Sequence, residues 1–180
     1  MNLENARAVL QDAELIHSAD AVQRAIDSVA ERIRQDLSGL YPVILAVMSG
    51  AVPFVGHLLP RLDFPLDFDY LHASRYGLET QSKSALTWRS GPWIALKERH
   101  VLVVDDILDE GVTLSTICAR LKQMGAASVR AAVLVEKNTG KTKPLIADYV
   151  GLVVPDRFVF GFGMDICGMW RNLPAIYARA

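Results

Sequence analysis

The stretch that decides the fold is VLVVDDILDEGVT at residues 101–113. It opens with four consecutive aliphatic residues, which is typical of a parallel strand buried on both faces. Apolar residues then recur at helical spacing through residues 114–124, and residues 129–135 form a second aliphatic run. A strand, a helix and a strand in this order predict a βαβ unit, in which residues 105–111 form the turn.

The rest of the chain extends this pattern in both directions. Residues 20–37 predict an amphipathic helix that is capped by Asp20, and residues 3–10 predict a shorter one. Further strands are predicted at residues 43–48, 67–71, 149–154 and 158–160, with a short helix opened by Pro53 after the first of them. The polar residues 74–90 predict a mobile loop with part of a hairpin. The alternation favours a doubly wound α/β domain, with a mostly parallel sheet flanked by helices.

Composition limits the class of protein. The 180 residues fit a single domain, and 51% hydrophobic against 22% charged residues exclude a disordered chain. A net charge of -1 argues against bulk nucleic-acid binding. Two cysteines predict reduced thiols in a cytoplasmic protein, because they are too few for a disulfide framework. Residues 38–60 lack Asp, Glu, Lys and Arg, but their prolines and glycines favour a strand, a turn and a helix over a membrane span.

The predicted turn carries an unusual density of acids. Four carboxylates occupy six consecutive positions, at Asp105, Asp106, Asp109 and Glu110. They would repel one another unless a cation or a hydroxyl-rich ligand satisfied them. Gly111 permits a tight loop whose N–H groups converge on an anion, and Thr113 adds a hydroxyl at the N-terminus of the next helix. A phosphate cradle beside acidic groups suits a sugar phosphate.

Residues 101–113 resemble the phosphoribosyl-pyrophosphate signature of type I phosphoribosyltransferases. Three later segments resemble the hypoxanthine-guanine branch of that family: LVEK at residues 134–137, PDRFVFGFGMD at 155–165 and RNLP at 171–174. The resemblance runs from about Glu14 to the C-terminus. It implies one phosphoribosyltransferase domain over residues 1–180, with residues 1–12 as an N-terminal extension, a small hood and a mobile loop.

The resemblance implies roles on the sugar-phosphate side of the site. Asp105 and Asp106 would bind the ribose hydroxyls, partly through Mg²⁺, and Ile107 would lie among the substrate contacts. The 5′-phosphate would be held by Glu110, Gly111, Val112 and Thr113. Asp165 would lie at a second Mg²⁺, and Arg171 would meet pyrophosphate. Carboxylates near the ribose would stabilise the positive charge that develops there in the transition state.

The resemblance also implies roles on the purine side. Asp109 would be the catalytic acid/base group and would face N7 of the purine. Lys137 would donate to the 6-oxo group, Phe158 would stack on the ring, and the backbone of Val159 would contact the purine edge. An attacking purine becomes more acidic, so a carboxylate that accepts its proton is useful.

The sequence departs from the family pattern at two places. The early pyrophosphate loop commonly carries Lys-Gly, whereas this chain has Ser49-Gly50. In the mobile loop the usual Ser-Tyr pair is replaced by Arg75-Tyr76. Both loops remain candidate substrate contacts, and Arg75 could supply the positive charge that Ser49 lacks. Replacing Arg75 by Ala should then raise the KM for the sugar diphosphate.

The sequence therefore predicts a magnesium-dependent enzyme of purine salvage that makes IMP or GMP, assembled as a homodimer or homotetramer, with no nucleic-acid or membrane partner. One alternative is transfer to another base, namely xanthine, adenine or a pyrimidine. Lys137 argues against adenine, since an ammonium group and a 6-amino group both offer mainly donors. A second alternative is a regulatory RNA-binding protein on the same fold, and a third is a relative that only senses nucleotides.

Overall fold

The computed structural model describes residues 2–74 and 87–180. Its α-helices are α1 (Leu3–Gln11), α2 (Ala19–Leu37), α3 (Val52–Leu58) and α4 (Val112–Gln123), and a 3₁₀ turn spans Leu59–Arg61. Its strands are β1 (Glu14–His17), β2 (Val43–Val47), β3 (Asp67–Ser74), β4 (Thr87–Ser90), β5 (His100–Leu108), β6 (Ser128–Asn138), β7 (Tyr149–Pro155), β8 (Val159–Phe160) and β9 (Ile176–Ala178). Among the helices in these two ranges, none has both the length and the apolar character needed to cross a bilayer.

The central sheet has six strands in the order β4-β3-β2-β5-β6-β7. All neighbours pair in parallel except β3 and β4, which form an antiparallel pair. The predicted α/β fold with a mostly parallel sheet is confirmed. The hairpin is confirmed in part by the β3–β4 pair, whereas residues 75–86 of the predicted mobile loop lie outside the described residues.

Helices cover both faces of this sheet because successive strand residues point to opposite sides. In β2, Ile44 and Ala46 pack in one apolar cluster with buried residues of α2 and α3. Val43 and Leu45 pack in a second cluster with buried residues of α4. Strand β2 is therefore buried on both faces, which explains its continuous aliphatic run.

The start of α2 differs from the prediction. The helix begins one residue earlier, and its N-cap is Ser18, whose hydroxyl accepts a hydrogen bond from the N–H of Ala21 at 3.2 Å. The predicted cap, Asp20, lies instead in the first turn of the helix, where its charge complements the helix dipole. At the other end, Asp36 Oδ2 accepts from the Tyr149 hydroxyl at 2.8 Å and from Arg130 Nη1 at 2.6 Å, and these bonds join α2 to β6 and β7.

A second, three-stranded sheet has the order β1-β9-β8 and corresponds to the small hood. The strands pair antiparallel, with Leu15 opposite Tyr177 and Val159 opposite Ala178. Neither β1 nor β9 is predicted from the sequence. A contact between His17 Nε2 and the carbonyl oxygen of Val153, at 3.0 Å, links this small sheet to β7.

The strand β5 is longer than predicted, because it continues through Leu108 rather than turning at Asp105. Its pairing with β6 runs on to Leu108 opposite Glu136, whereas its pairing with β2 stops at Val104 opposite Ala46. The two adjacent acids are therefore strand residues that extend beyond the end of β2. This overhang places Asp105 and Asp106 beside the chain that leaves β2.

Candidate active site

The candidate site lies at the carboxyl ends of β2 and β5, where the direction of strand order reverses. From β2 the chain passes through α3 to β3 on one side, and from β5 it passes through α4 to β6 on the other. Such a switch point leaves a crevice above the sheet, which is the usual ligand position in open α/β folds. The segments that enter this crevice are the loop after β2, the end of β5 and the turn before α4.

The two adjacent acids are held by backbone N–H groups. Asp105 Oδ1 accepts from the N–H of Asp106 at 3.0 Å, and Asp106 Oδ1 accepts from the N–H of Ile107 at 2.8 Å. Burial, followed by the neighbouring charge of Asp106, raises the pKa of the Asp105 carboxyl well above its usual range. Burial also raises the pKa of Asp106, whose side chain is only 13% exposed. A bound cation would favour the ionised form of both carboxyls.

The turn that follows β5 lines one of the cavities at the site. This phosphate cavity, as we name it, has a volume of about 330 Å³ and is lined by residues 105–111, Thr113 and Leu114. Gly111 caps the N-terminus of α4 in the left-handed conformation, with φ at 79°. An anion here would lie where α4 presents its first N–H groups and the positive end of its dipole.

The second cavity, which we name the base cavity, has a volume of about 190 Å³. Its lining residues are Asp106, Ile107, Asp109, Lys137, Phe158, Val159, Met164 and Asp165. Lys137 Nζ donates to Asp109 Oδ2 at 2.6 Å, so the residues predicted to recognise the 6-oxo group and N7 face one another. Phe158 is 52% exposed despite its size, which leaves its ring available to a flat ligand. Asp109 also lines the phosphate cavity and so stands between the two.

An arginine joins the two acidic positions of the site. Arg171 Nη2 lies 2.5 Å from Asp165 Oδ1, and Arg171 Nη1 lies 3.9 Å from Asp106 Oδ2. The same Nη1 atom donates to the carbonyl oxygen of Gly163 at 2.5 Å. The predicted pyrophosphate ligand therefore lies at the crevice, beside two of the three predicted metal-binding carboxylates, Asp106 and Asp165.

The loop after β2 approaches the acids very closely. A Cβ atom on Gly50 would lie 2.0 Å from Asp106 Oδ2, and one on Gly163 would lie 2.1 Å from the carbonyl oxygen of Gly50. Only glycine fits at these two positions. Ser49 is exposed, and the Met48–Ser49 peptide bond is cis. The other predicted loop residues, Arg75 and Tyr76, lie outside the described residues.

Val112, the remaining predicted phosphate ligand, is exposed in the first turn of α4, beside Gly111. Two contacts at the site are not predicted from the sequence. One is the close approach of Gly163 to Gly50. The only feature of the sequence that could have indicated it is the spacing of Gly161, Gly163 and Asp165. The other is Lys143, which bonds to the ends of both β5 and β6. Its sequence neighbourhood, GKTKP at residues 140–144, gives no sign of that role.

The site can be compared with those of known proteins. The family model described as the phosphoribosyl transferase domain matches residues 12–166. The chain belongs to the phosphoribosyltransferase family. The match includes the βαβ unit with the acidic turn, whereas α1 precedes it and β9 follows it.

Within the family the chain is similar to proteins named for purine bases. It is 35% identical over 170 residues to the hypoxanthine-guanine-xanthine phosphoribosyltransferase of Tritrichomonas foetus, covering 93% of this chain and 92% of that one. A crystal structure of a hypoxanthine phosphoribosyltransferase from Staphylococcus aureus superposes with a TM-score of 0.88 at 26% identity, over 96% of this chain and 95% of the other.

The chain is also 36% identical to the bifunctional protein TilS/HprT of Listeria monocytogenes, over 163 residues that cover 91% of this chain. It spans only 25% of the length of that relative. The similarity to this longer protein therefore concerns one part of it.

Proposed function

We propose that this phosphoribosyltransferase acts in purine salvage and converts hypoxanthine or guanine, with 5-phosphoribosyl 1-pyrophosphate, to IMP or GMP and pyrophosphate. The observation that carries the proposal is the position of Asp109. It lies on the boundary between the phosphate cavity and the base cavity and is paired with Lys137 at 2.6 Å. The relatives named for hypoxanthine, guanine and xanthine support the same substrate class.

On the purine side, the base cavity offers the paired Lys137 and Asp109 as a donor and an acceptor. The Lys137 ammonium would donate to the 6-oxo group, and the Asp109 carboxylate would accept the proton that the purine loses as it attacks. In that step the bond from the purine nitrogen to C1′ forms, and the bond from C1′ to pyrophosphate oxygen breaks. Phe158 would cover one face of the ring, and the Val159 backbone would meet its edge.

On the sugar side, the acidic end of β5 and the first turn of α4 would bind different parts of the substrate. The turn at residues 110–113 would hold the 5′-phosphate against the N-terminus of α4. Asp105 and Asp106 would bind the ribose hydroxyls and stabilise positive charge on the ribose. Arg171, already beside Asp165, would meet the departing pyrophosphate.

The residues of the site fit Mg²⁺ as the cofactor. No cluster of three or more His, Cys, Asp or Glu side chains within residues 2–74 and 87–180 could hold a metal ion by itself. Mg²⁺ commonly uses one or two carboxylates together with substrate phosphate oxygens. The buried pair Asp105 and Asp106 and the separate Asp165 provide such partial sites. When bound, the metal would supply charge stabilisation to the leaving group.

Two further properties belong to this proposal. The resemblance implies a homodimer or homotetramer, which sedimentation velocity would measure. The proposed cytoplasmic location rests on the two free thiols, Cys118 and Cys167.

The decisive experiment is a panel of six free bases, offered with the sugar diphosphate and Mg²⁺ and followed by nucleotide formation. We expect product from hypoxanthine and guanine, and none from adenine or the pyrimidines. Xanthine carries the same 6-oxo group, so Lys137 does not distinguish it from hypoxanthine. The rate with xanthine therefore measures how strongly other features of the base cavity discriminate between the two bases. Product from no 6-oxopurine would overturn the proposal.

A matched pair of variants tests the role of Asp109. Asp109→Asn should lower kcat by about 10²- to 10⁴-fold, since general acid–base groups contribute on that scale. Asp20→Asn, which changes an exposed carboxylate on α2, should leave kcat unchanged. Equal rates for the two variants would remove Asp109 from the chemistry.

A further inference from the structure

We propose that Lys143 is a positioning residue, which holds the backbones of Asp109 and Lys137 at the spacing that the base cavity needs. This inference rests on the proposed function and deepens it. Lys143 lies in the loop between β6 and β7, six residues after Lys137. Its side chain is 9% exposed, although lysine is ordinarily a surface residue.

The ammonium of Lys143 has an acceptor for each of its three protons. Nζ donates to the carbonyl oxygen of Leu108 at 3.1 Å, to the carbonyl oxygen of Lys137 at 2.7 Å and to Glu136 Oε1 at 3.1 Å. The first carbonyl belongs to the peptide bond that leads into Asp109, and the second belongs to Lys137 itself. One buried cation therefore joins the main chains that carry both purine-facing side chains.

This bridge lies just beyond the end of the hydrogen-bond ladder between β5 and β6. That ladder ends at Leu108 opposite Glu136, so Asp109 and Lys137 lie just beyond its last pair, while Lys137 stays paired with Val154 of β7. Without a ladder hydrogen bond from β6, the main chain at Asp109 would be free to move away from Lys137. The Lys143 ammonium replaces the missing ladder contact with charge-assisted hydrogen bonds, which are about twice as strong as neutral ones.

The stem of Lys143 makes a different contact. A Cβ atom on Gly111 would lie 3.5 Å from Lys143 Cβ and 3.5 Å from Pro144 Cδ, so the loop packs against the turn that lines the phosphate cavity. The two parts of this side chain therefore support different parts of the site. The ammonium supports the base cavity, and the carbon stem supports the phosphate turn.

Lys143→Met separates these two contributions, because methionine keeps an unbranched apolar stem and removes the ammonium. We expect kcat to fall about 10- to 100-fold and the KM for hypoxanthine to rise, since small displacements of reacting groups cost rate on that scale. The KM for the sugar diphosphate should stay within about threefold of wild type. A change confined to the purine side would not arise from general destabilisation.

Glu136→Gln is the matched control. It also removes the ion pair with Lys143, but it keeps an acceptor oxygen at that position and leaves both carbonyl hydrogen bonds in place. We expect its kcat to stay within about threefold of wild type. Lys122→Met, in the exposed last turn of α4, controls for the loss of one positive charge.

Three outcomes would overturn the inference: wild-type kcat in Lys143→Met, an equal loss in Glu136→Gln, or an equal rise in both KM values. If Lys143→Met does not fold, as judged by circular dichroism, Lys143→Leu, which also lacks a donor, replaces it in the same comparison with the same expectations. A wild-type protein that is inactive with every 6-oxopurine would instead overturn the proposed function, so the two failures are distinguishable.

Discussion

Replacing Gly50 by alanine tests how closely the loop after β2 must approach the acidic end of β5. The new Cβ would lie 2.0 Å from Asp106 Oδ2 and 2.6 Å from its Cγ. Carbon and oxygen atoms that are not bonded approach to about 3.3 Å, so one of the two groups must move by more than about 1 Å. The substitution therefore adds one methyl group but displaces a proposed substrate-binding element.

The magnitude follows from what holds Asp106. Its Oδ1 accepts from the N–H of Ile107 at 2.8 Å, and its Oδ2 lies 3.9 Å from Arg171 Nη1, so rotation of the carboxylate would break existing contacts. A misplacement of about 1 Å costs about 100-fold in rate, or about 2.7 kcal/mol in transition-state stabilisation. We expect a loss of that size in kcat/KM for the sugar diphosphate.

The assay is the initial rate of nucleotide formation at varied sugar diphosphate, with urea unfolding measured in parallel. Gly56→Ala, in α3, is the control, because its Cβ would meet no atom within 4 Å. That variant should keep full activity and gain roughly 0.5–1 kcal/mol of stability. If Gly50→Ala kept kcat/KM within threefold of wild type, the argument that Asp106 is fixed against this loop would be wrong.

Three further predictions concern the base cavity and the core. Phe158→Ala should raise the KM for hypoxanthine by about tenfold through lost stacking, with little change in urea unfolding; an unchanged KM would contradict the stacking role. Tyr149→Phe should lower the free energy of unfolding by about 1–2 kcal/mol by removing both hydrogen bonds of the hydroxyl. Burial raises the pKa of Tyr149 to about 12. The stability that the Tyr149 hydroxyl contributes to the wild type is therefore complete below pH 10 and declines as the pH rises towards 12. Urea unfolding of Tyr149→Phe should show no such decline. Burial likewise raises the pKa of the Cys118 thiol to about 11, so a thiol reagent at pH 8 should modify exposed Cys167 rapidly and Cys118 only on unfolding; two fast equivalents would contradict this.

Much of the central sheet could be predicted because its signals are local. A run of four aliphatic residues and apolar spacing near 3.6 residues identify β5 and α4 without reference to the rest of the chain. The predicted cap of α2 is wrong because Ser18 and Asp20 are both good capping residues, and only backbone geometry decides between them. The predicted end of β5 at Asp105 is too early because the additional pairing of β5 is with β6 and cannot be read from the residues of β5 alone.

Some residues of the site could likewise be predicted from local sequence, and others could not. The acidic turn is a continuous motif, so its residues could be named from the sequence, and the structure brings Lys137 and Phe158 to the same cavity. Lys143 and the approach of Gly163 to Gly50 could not be named, because each depends on segments that meet only after folding. The strands β1 and β9 are not predictable for the same reason, since each is short and pairs with a segment remote in sequence.

The small sheet also sets an order of events for a growing chain. Val159, at the edge of the base cavity, lies in β8, and β8 pairs with β9 at residues 176–178. Synthesis proceeds from the N-terminus, so all six strands of the large sheet are synthesised before β9. The edge of the base cavity would then gain its β9 partner only after the residues of the phosphate turn have been made.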